Sequence, residues 1–253
     1  MPVEKENGKT RDTAEVTPIN DGLSLLERGG GLKFGTDALL LAGFLPGKLG
    51  NAAEFGCGSG GISLLAAYRG KAEHIDALEL NPVEAEIARE NVCLNHLEEK
   101  ITVICSDLRE FASESRRKGC YDTIFSNPPY MKPGHGFASS DPGRDDARRE
   151  NNGDIFDFAA AAAALLRTGG CFYTVYLPSR IADLMTALRA SGLEPKKIVS
   201  VCGDPEHKPS LILTAAKKGA SPSVDVFENF FIRRSDGTPG QRYASMLESG
   251  FIG

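Results

Sequence analysis

Residues 52–68 restrict the fold more than any other stretch. An apolar run, Ala52-Ala53-Glu54-Phe55, meets Gly56-Cys57-Gly58-Ser59-Gly60-Gly61 and then a second apolar run, Ile62-Ser63-Leu64-Leu65-Ala66-Ala67-Tyr68. Four glycines in six residues cannot continue a strand or begin a helix without a sharp turn, so the pattern predicts strand, turn and helix in that order. Such a unit belongs to a parallel α/β sheet, and glycines let its backbone approach a ligand that side chains would exclude. The spacing is Glu-x-Gly-x-Gly-x-Gly, which makes Glu54, Gly56, Gly58 and Gly60 candidates for a nucleotide-type site. Alone, a turn of this kind is often only a tight connection.

The following segments repeat the arrangement. Ile75-Asp76-Ala77-Leu78-Glu79 is an apolar run closing on a carboxylate about twenty residues past the glycines, where an acid can accept hydrogen bonds from both hydroxyls of a ribose. Asn81-Pro82 ends that strand, and proline suits the first turn of the helix predicted after it. A third strand, 100–105, ends in Ser106-Asp107. Asp107 is placed to receive an adenine amino group and also to cap a short helix over 108–112. Leu80 and Leu108, the residues after these two acids, belong to the same candidate cofactor surface.

The fourth strand, 121–125, ends in Ser126-Asn127-Pro128-Pro129-Tyr130. Two prolines remove two donors and force an extended exit from the sheet. What is left is a set of acceptors, the Asn127 side-chain oxygen and the Asn127 and Pro128 carbonyls, beside an aromatic face. Acceptors plus a stacking platform suit a planar group carrying an exocyclic NH2, such as a nucleobase lifted from its stack. The next stretch, 131–153, is rich in Gly, Asp and Arg and has no periodicity, as expected of a mobile loop over a substrate. Its Arg144, Arg148 and Arg149 could contact phosphates, or pair with the acids among them.

Upstream, the first ordered segment is expected over residues 23–45, with Thr36 or Asp37 capping an apolar helix that Pro46 and Gly47 stop. Downstream, Asp154 is expected to cap a helix over 155–167, followed by a strand over 171–177, a helix over 178–191 and a closing hairpin of 198–202 with 210–216. Residues 1–20 read as a flexible tail, 21–218 as one domain, and 219–253 as an extension packing on or near it, as an edge strand or towards the substrate.

The chain has 253 residues, 41% hydrophobic and 25% charged, with a net charge of −5. These values describe an ordinary globular α/β chain and argue against broad coating of a polyanion, leaving local basic patches such as Arg233-Arg234. The six cysteines are scattered without a C-x-x-C pair, which reads as a reduced, cytoplasmic protein without zinc. No apolar run approaches a membrane span.

Glu54 to Gly61, Glu79, Asp107 and Asn127-Pro128-Pro129-Tyr130 together resemble the ordered motifs of class I S-adenosylmethionine-dependent methyltransferases of the amino-group type. Phe34-Gly35-Thr36-Asp37-Ala38-Leu39-Leu40-Leu41 and Ala147-Arg148-Arg149-Glu150 further resemble the bacterial tRNA adenine-N6 methyltransferases that act on valine tRNA beside the anticodon. The resemblance spans residues 20–218. It implies a Rossmann-like, seven-stranded, mostly parallel sheet with helices on both faces and a C-terminal antiparallel hairpin. It also implies a cofactor site of Thr36, Asp37, Glu54, Gly56, Gly58, Gly60, Glu79, Leu80, Asp107, Leu108 and Asn127. Asn127, Pro128 and Tyr130 would be catalytic, and Pro129, Tyr130, Arg144, Arg148 and Arg149 would hold tRNA. Neither metal nor membrane is implied, and a monomer or homodimer is expected. A protein glutamine amide, or a guanine N2 in rRNA, is an alternative acceptor. A nucleotide-binding oxidoreductase or a non-catalytic module would leave the Asn-Pro-Pro-Tyr set unexplained.

Overall fold

The computed structural model describes residues 14–20, 22–28, 34–130 and 153–252. The chain runs β1 (Ala14–Asn20), β2 (Leu23–Arg28), α1 (Thr36–Phe44), β3 (Asn51–Phe55), α2 (Gly61–Tyr68), β4 (His74–Glu79), α3 (Pro82–Leu94), β5 (Ile101–Cys105) and α4 (Leu108–Ser113). It continues through β6 (Tyr121–Ser126), α5 (Ile155–Leu165), β7 (Leu166–Tyr176), α6 (Ile181–Ala190), β8 (Leu193–Cys202), β9 (Leu211–Lys218), β10 (Asp225–Val226), β11 (Phe230–Phe231) and α7 (Gln241–Ser249).

Seven strands form the expected sheet in the order β8-β9-β7-β6-β3-β4-β5. All run parallel except β9, which pairs antiparallel with both β7 and β8. The C-terminal ends of β3 to β8 therefore share one edge, where open α/β sheets bind their ligands. Helices cover both faces. On one, α1, α2 and α3 bury Leu40, Leu41, Leu64, Leu65 and Ala88 against the sheet. On the other, α4, α5 and α6 bury Phe111, Phe158, Ala162 and Leu184. None of the described helices is long and apolar enough to cross a membrane.

Local chemistry sets the helix starts much as anticipated. The Asn81 side chain accepts from Val83 N with Pro82 in the first turn, and Asp107 accepts from Arg109 N. Asp154 and Asp157 form a reciprocal capping box on α5. Helix α1 differs: its cap is Gly35, which offers no side chain, so Thr36 is already helical and Asp37 belongs to the first turn. The far end of α1 is fixed by the buried Lys71, whose Nζ donates to the Ala42 and Leu45 carbonyls at 2.8 Å each. Desolvation pushes that amine down to about 7.

One boundary needs correction. Residues 14–20 lie within the segment expected to be a tail, yet they form β1, paired antiparallel with β2. The hairpin is held from outside itself. The buried Asn91 side chain accepts from Leu26 N and donates to the Leu26 and Ser59 carbonyls, and Asn95 brackets Ser24 in the same way. Past residue 218, β10 and β11 add in parallel to β8, and Phe230 and Met246 are buried in the same core as α1. Gly43 of α1 is required there, since a Cβ would lie 2.5 Å from the Met246 sulfur.

Candidate active site

The glycine turn leaves β3 with Gly56, Gly58 and Gly60 all at positive φ. Nothing lies within 4 Å of a Cβ built on Gly58, so conformation, not crowding, demands glycine there, and the space beside it is open. Gly61 is required for the opposite reason: a Cβ would collide with the Phe34 ring, which closes over the start of α2. Glu79, at the mouth of β4, accepts from Gly58 N through Oε2 and from Asn81 N through Oε1, each at 2.8 Å. Its carboxylate is thus fixed beside the turn while still half-exposed. Leu80 follows it on the same sheet edge.

Glu54 does not fit the role expected of it. It is 1% exposed, and its Oε2 accepts from Ser63 N at 3.0 Å and Ser63 Oγ at 2.5 Å, joining β3 to α2 beneath the turn. Burial pushes its carboxyl from 4.5 up to about 8. The acid supports the turn from below because β3 is a central strand buried on both faces, and position 54 lies on the face covered by α2. Asp107 does cap α4, and its carboxylate also pairs with the Arg109 guanidinium, at 2.9 Å to Nε and 2.5 Å to Nη2. That pairing holds Asp107 below the usual carboxylate range. Leu108 is buried in the core behind it.

Strand β6 delivers Asn127 to the same edge, with Ser126 Oγ donating to the Phe55 carbonyl at 2.7 Å to fix the two strand ends together. Asn127 Nδ2 donates to Asp37 Oδ2 at 2.9 Å. The Tyr130 hydroxyl stands 2.6 Å from Asn127 Oδ1 and 3.1 Å from Asp37 Oδ2. Burial, with Asp37 next, raises the Tyr130 phenol well above its ordinary value, so it stays a donor. Its ring packs edge-on to Tyr176, with centroids 5.8 Å apart, and the buried Tyr176 hydroxyl has no hydrogen-bond partner among the described residues. Arg180 fixes the exit of the motif by donating Nη1 to the Tyr130 carbonyl at 2.9 Å. Pro128 is buried and Pro129 exposed, and no hydrogen bond among the described residues uses the Pro128 carbonyl.

Thr36, Asp37, Gly56, Gly58, Gly60, Glu79, Leu80, Asp107, Leu108, Asn127, Pro128, Pro129 and Tyr130 all fall at or just behind this edge. Arg144, Arg148 and Arg149 lie outside the described residues. Sequence reasoning missed Ser63, Phe34, Asn91 and Arg180. Phe34 stood in the Phe34-to-Leu41 motif without an assigned role; Asn91 and the α3 C-cap Asn95 are two amides one helical turn apart, from which a hairpin partner cannot be inferred.

Residues 29–140 match the methyltransferase small domain model. The tRNA1(Val) (adenine(37)-N6)-methyltransferase of Aeromonas hydrophila is 36% identical over 87% of this chain and 91% of its own length. The protein of the same description from Shigella dysenteriae is 29% identical over 87% and 89%. Among solved structures, one described as a predicted O-methyltransferase from Agrobacterium tumefaciens superposes with a TM-score of 0.68 at 20% identity, covering 85% of this chain and 96% of that one. The M. jannaschii tRNA m1G37 methyltransferase gives 0.58 at 17% identity over 85% and 57%. A parallel sheet closed by one antiparallel strand, with a glycine turn and an acid at the mouth of the next strand, defines a class I S-adenosylmethionine-dependent methyltransferase. Within that class, the chain belongs to the tRNA1(Val) (adenine(37)-N6)-methyltransferase family.

Proposed function

We propose that this protein methylates N6 of an adenine in tRNA, next to the anticodon, in the cytoplasm. The observation that carries the reading is the Asn127-Pro128 acceptor pair on the sheet edge shared with the glycine turn and Glu79. The activity for which the relatives are named supports the choice of tRNA.

The residues present fit the cofactor. Glu79 offers a fixed carboxylate for ribose hydroxyls, the open turn at Gly58 admits a ligand against the backbone, and Asp107 and the Leu108 backbone stand at the next strand end. When bound, S-adenosylmethionine supplies a methyl group on a positively charged sulfur. The acceptor nitrogen is poorly nucleophilic because its lone pair is delocalised into the ring. Asn127 Oδ1 and the Pro128 carbonyl accept its two N-H groups and favour the pyramidal form in which the lone pair is available. These bonds strengthen as positive charge develops on nitrogen, so they stabilise the transition state more than the ground state. The methylated nitrogen is acidic enough to lose its proton to solvent without a dedicated base. Tyr130 holds the base by stacking, a contact worth roughly 1–3 kcal/mol.

The test is a methyl-transfer assay on tRNA lacking the modification, read by nucleoside mass spectrometry, beside a glutamine-containing protein acceptor and an rRNA fragment. N6-methyladenosine in tRNA alone is expected; label in the protein or in guanine would replace this reading.

A further inference from the structure

Asp37 was expected to serve the cofactor, yet both hydrogen bonds of its Oδ2 run to the Asn-Pro-Pro-Tyr motif. Its other oxygen accepts from Ala38 N at 2.9 Å, which locks the carboxylate onto the first turn of α1. An asparagine amide can be rotated by 180° at little cost, exchanging its acceptor for its donor. With a carboxylate 2.9 Å away, only the orientation with Nδ2 towards Asp37 is favourable; the reverse sets oxygen against oxygen. Asn127 Oδ1 is therefore held outward, facing Tyr130.

That oxygen is already engaged. The Tyr130 hydroxyl has one proton for two acceptors, and the shorter contact, 2.6 Å, is to Asn127 Oδ1. A target amino group must take this site, and a hydroxyl displaced into a half-buried pocket without a new acceptor is left with an unsatisfied donor, which opposes binding of the target. Asp37 Oδ2, 3.1 Å from the same hydroxyl, is such an acceptor.

We propose that Asp37 is a positioning residue for the reaction: it fixes the orientation of the Asn127 amide and receives the Tyr130 hydroxyl when the target amino group claims Asn127 Oδ1. The inference rests on the function proposed above. No bond to the cofactor is required of Asp37, and none of the proton movements is a net transfer, since the hydroxyl keeps its proton and only its acceptor changes.

Asp37→Ala is expected to lower kcat on tRNA roughly 10- to 100-fold, with S-adenosylmethionine affinity by calorimetry within about twofold of wild type. Asp37→Asn retains one side-chain oxygen, which can accept from Asn127 Nδ2 and the Tyr130 hydroxyl at the expense of the Ala38 N bond, so it is expected to recover part of the loss, which a role in folding alone would not explain. In a Tyr130→Phe background, Asp37→Ala is expected to cost several-fold less, because no hydroxyl remains to compete for Asn127 Oδ1. Loss of cofactor affinity with kcat preserved would make Asp37 a cofactor ligand and overturn the proposal. So would an equal loss in both Tyr130 backgrounds, or no recovery in Asp37→Asn when thermal melts show it folded. Wild-type protein that binds S-adenosylmethionine but methylates no tRNA adenine would overturn the function itself, an outcome distinct from any of these.

Discussion

Asn127 and Asp37 are 90 residues apart in sequence and joined by a 2.9 Å hydrogen bond. The bond crosses from the end of β6 to the first turn of α1, so the amide proposed to hold the target base is oriented by an element that precedes the whole glycine motif. Helix α1 is in turn pinned at its other end by Lys71 and by Met246 of the C-terminal extension. The site is supported by α1, and α1 in turn by Lys71 and Met246, which lie outside every motif that points to the site.

Glu79→Ala removes the carboxylate beside the glycine turn. Affinity for S-adenosylmethionine is expected to fall by roughly 1.5–3 kcal/mol, about 10- to 150-fold, the usual scale for hydrogen bonds to a charged acceptor. Isothermal calorimetry on a variant with a wild-type melting profile is the measurement, and unchanged affinity removes Glu79 from the site.

Asn127→Ala separates chemistry from cofactor binding. Turnover on tRNA should disappear while S-adenosylmethionine affinity stays within a few-fold, because the missing oxygen is assigned to the acceptor nitrogen. A parallel collapse of both would mean that Asn127 holds the end of β6 together instead.

Glu54 makes stability depend on pH. Its folded-state carboxyl, pushed up to about 8, lies above the unfolded value of 4.5, so the folded state binds the proton more tightly. Its contribution is fully present below the unfolded value and is lost as pH rises through the folded one, at up to roughly 1.4 kcal/mol per pH unit. Glu54→Gln keeps an oxygen for Ser63 and cannot ionise. Denaturant melts of the ligand-free protein should show the variant gaining on wild type across that interval, and parallel curves for the two would contradict the assignment.

Arg233 and Arg234 offer a basic surface on the described part of the chain. They leave β11 at the same sheet edge as Asn127, roughly 19 Å away by four strand spacings, and line a cleft of about 350 Å³ together with Arg242. Replacing both by alanine is expected to weaken tRNA binding and flatten its salt dependence by up to about one unit of slope for each phosphate no longer neutralised, with cofactor affinity unchanged. The Arg144, Arg148 and Arg149 triple variant in the same salt series decides which group clamps the RNA; an unaltered slope for Arg233 and Arg234 assigns them to solvent.

The local sequence was enough to locate the sheet edge. Glycines at 56, 58 and 60, an acid at 79, a capping acid at 107 and two prolines after Asn127 each break an apolar run where backbone geometry permits nothing else, and the parallel order of the strands follows from the helices between them. Such signals are local, because they arise from φ restriction, missing donors and the period of burial. Tertiary packing decided what each polar group faces. Glu54 and Glu79 both close or precede a turn at the end of an apolar run, yet one points into the core and meets Ser63 while the other meets the Gly58 amide, since alternation along a strand fixes the face but not the partner. Asp37 reads as a helix cap in sequence and becomes the support of Asn127 only because α1 packs against β7, the neighbour of β6. Hydrogen bonds over 65 to 93 residues, at Asn91, Asp37 and Tyr130, depend on the relative placement of elements that no short stretch of chain encodes.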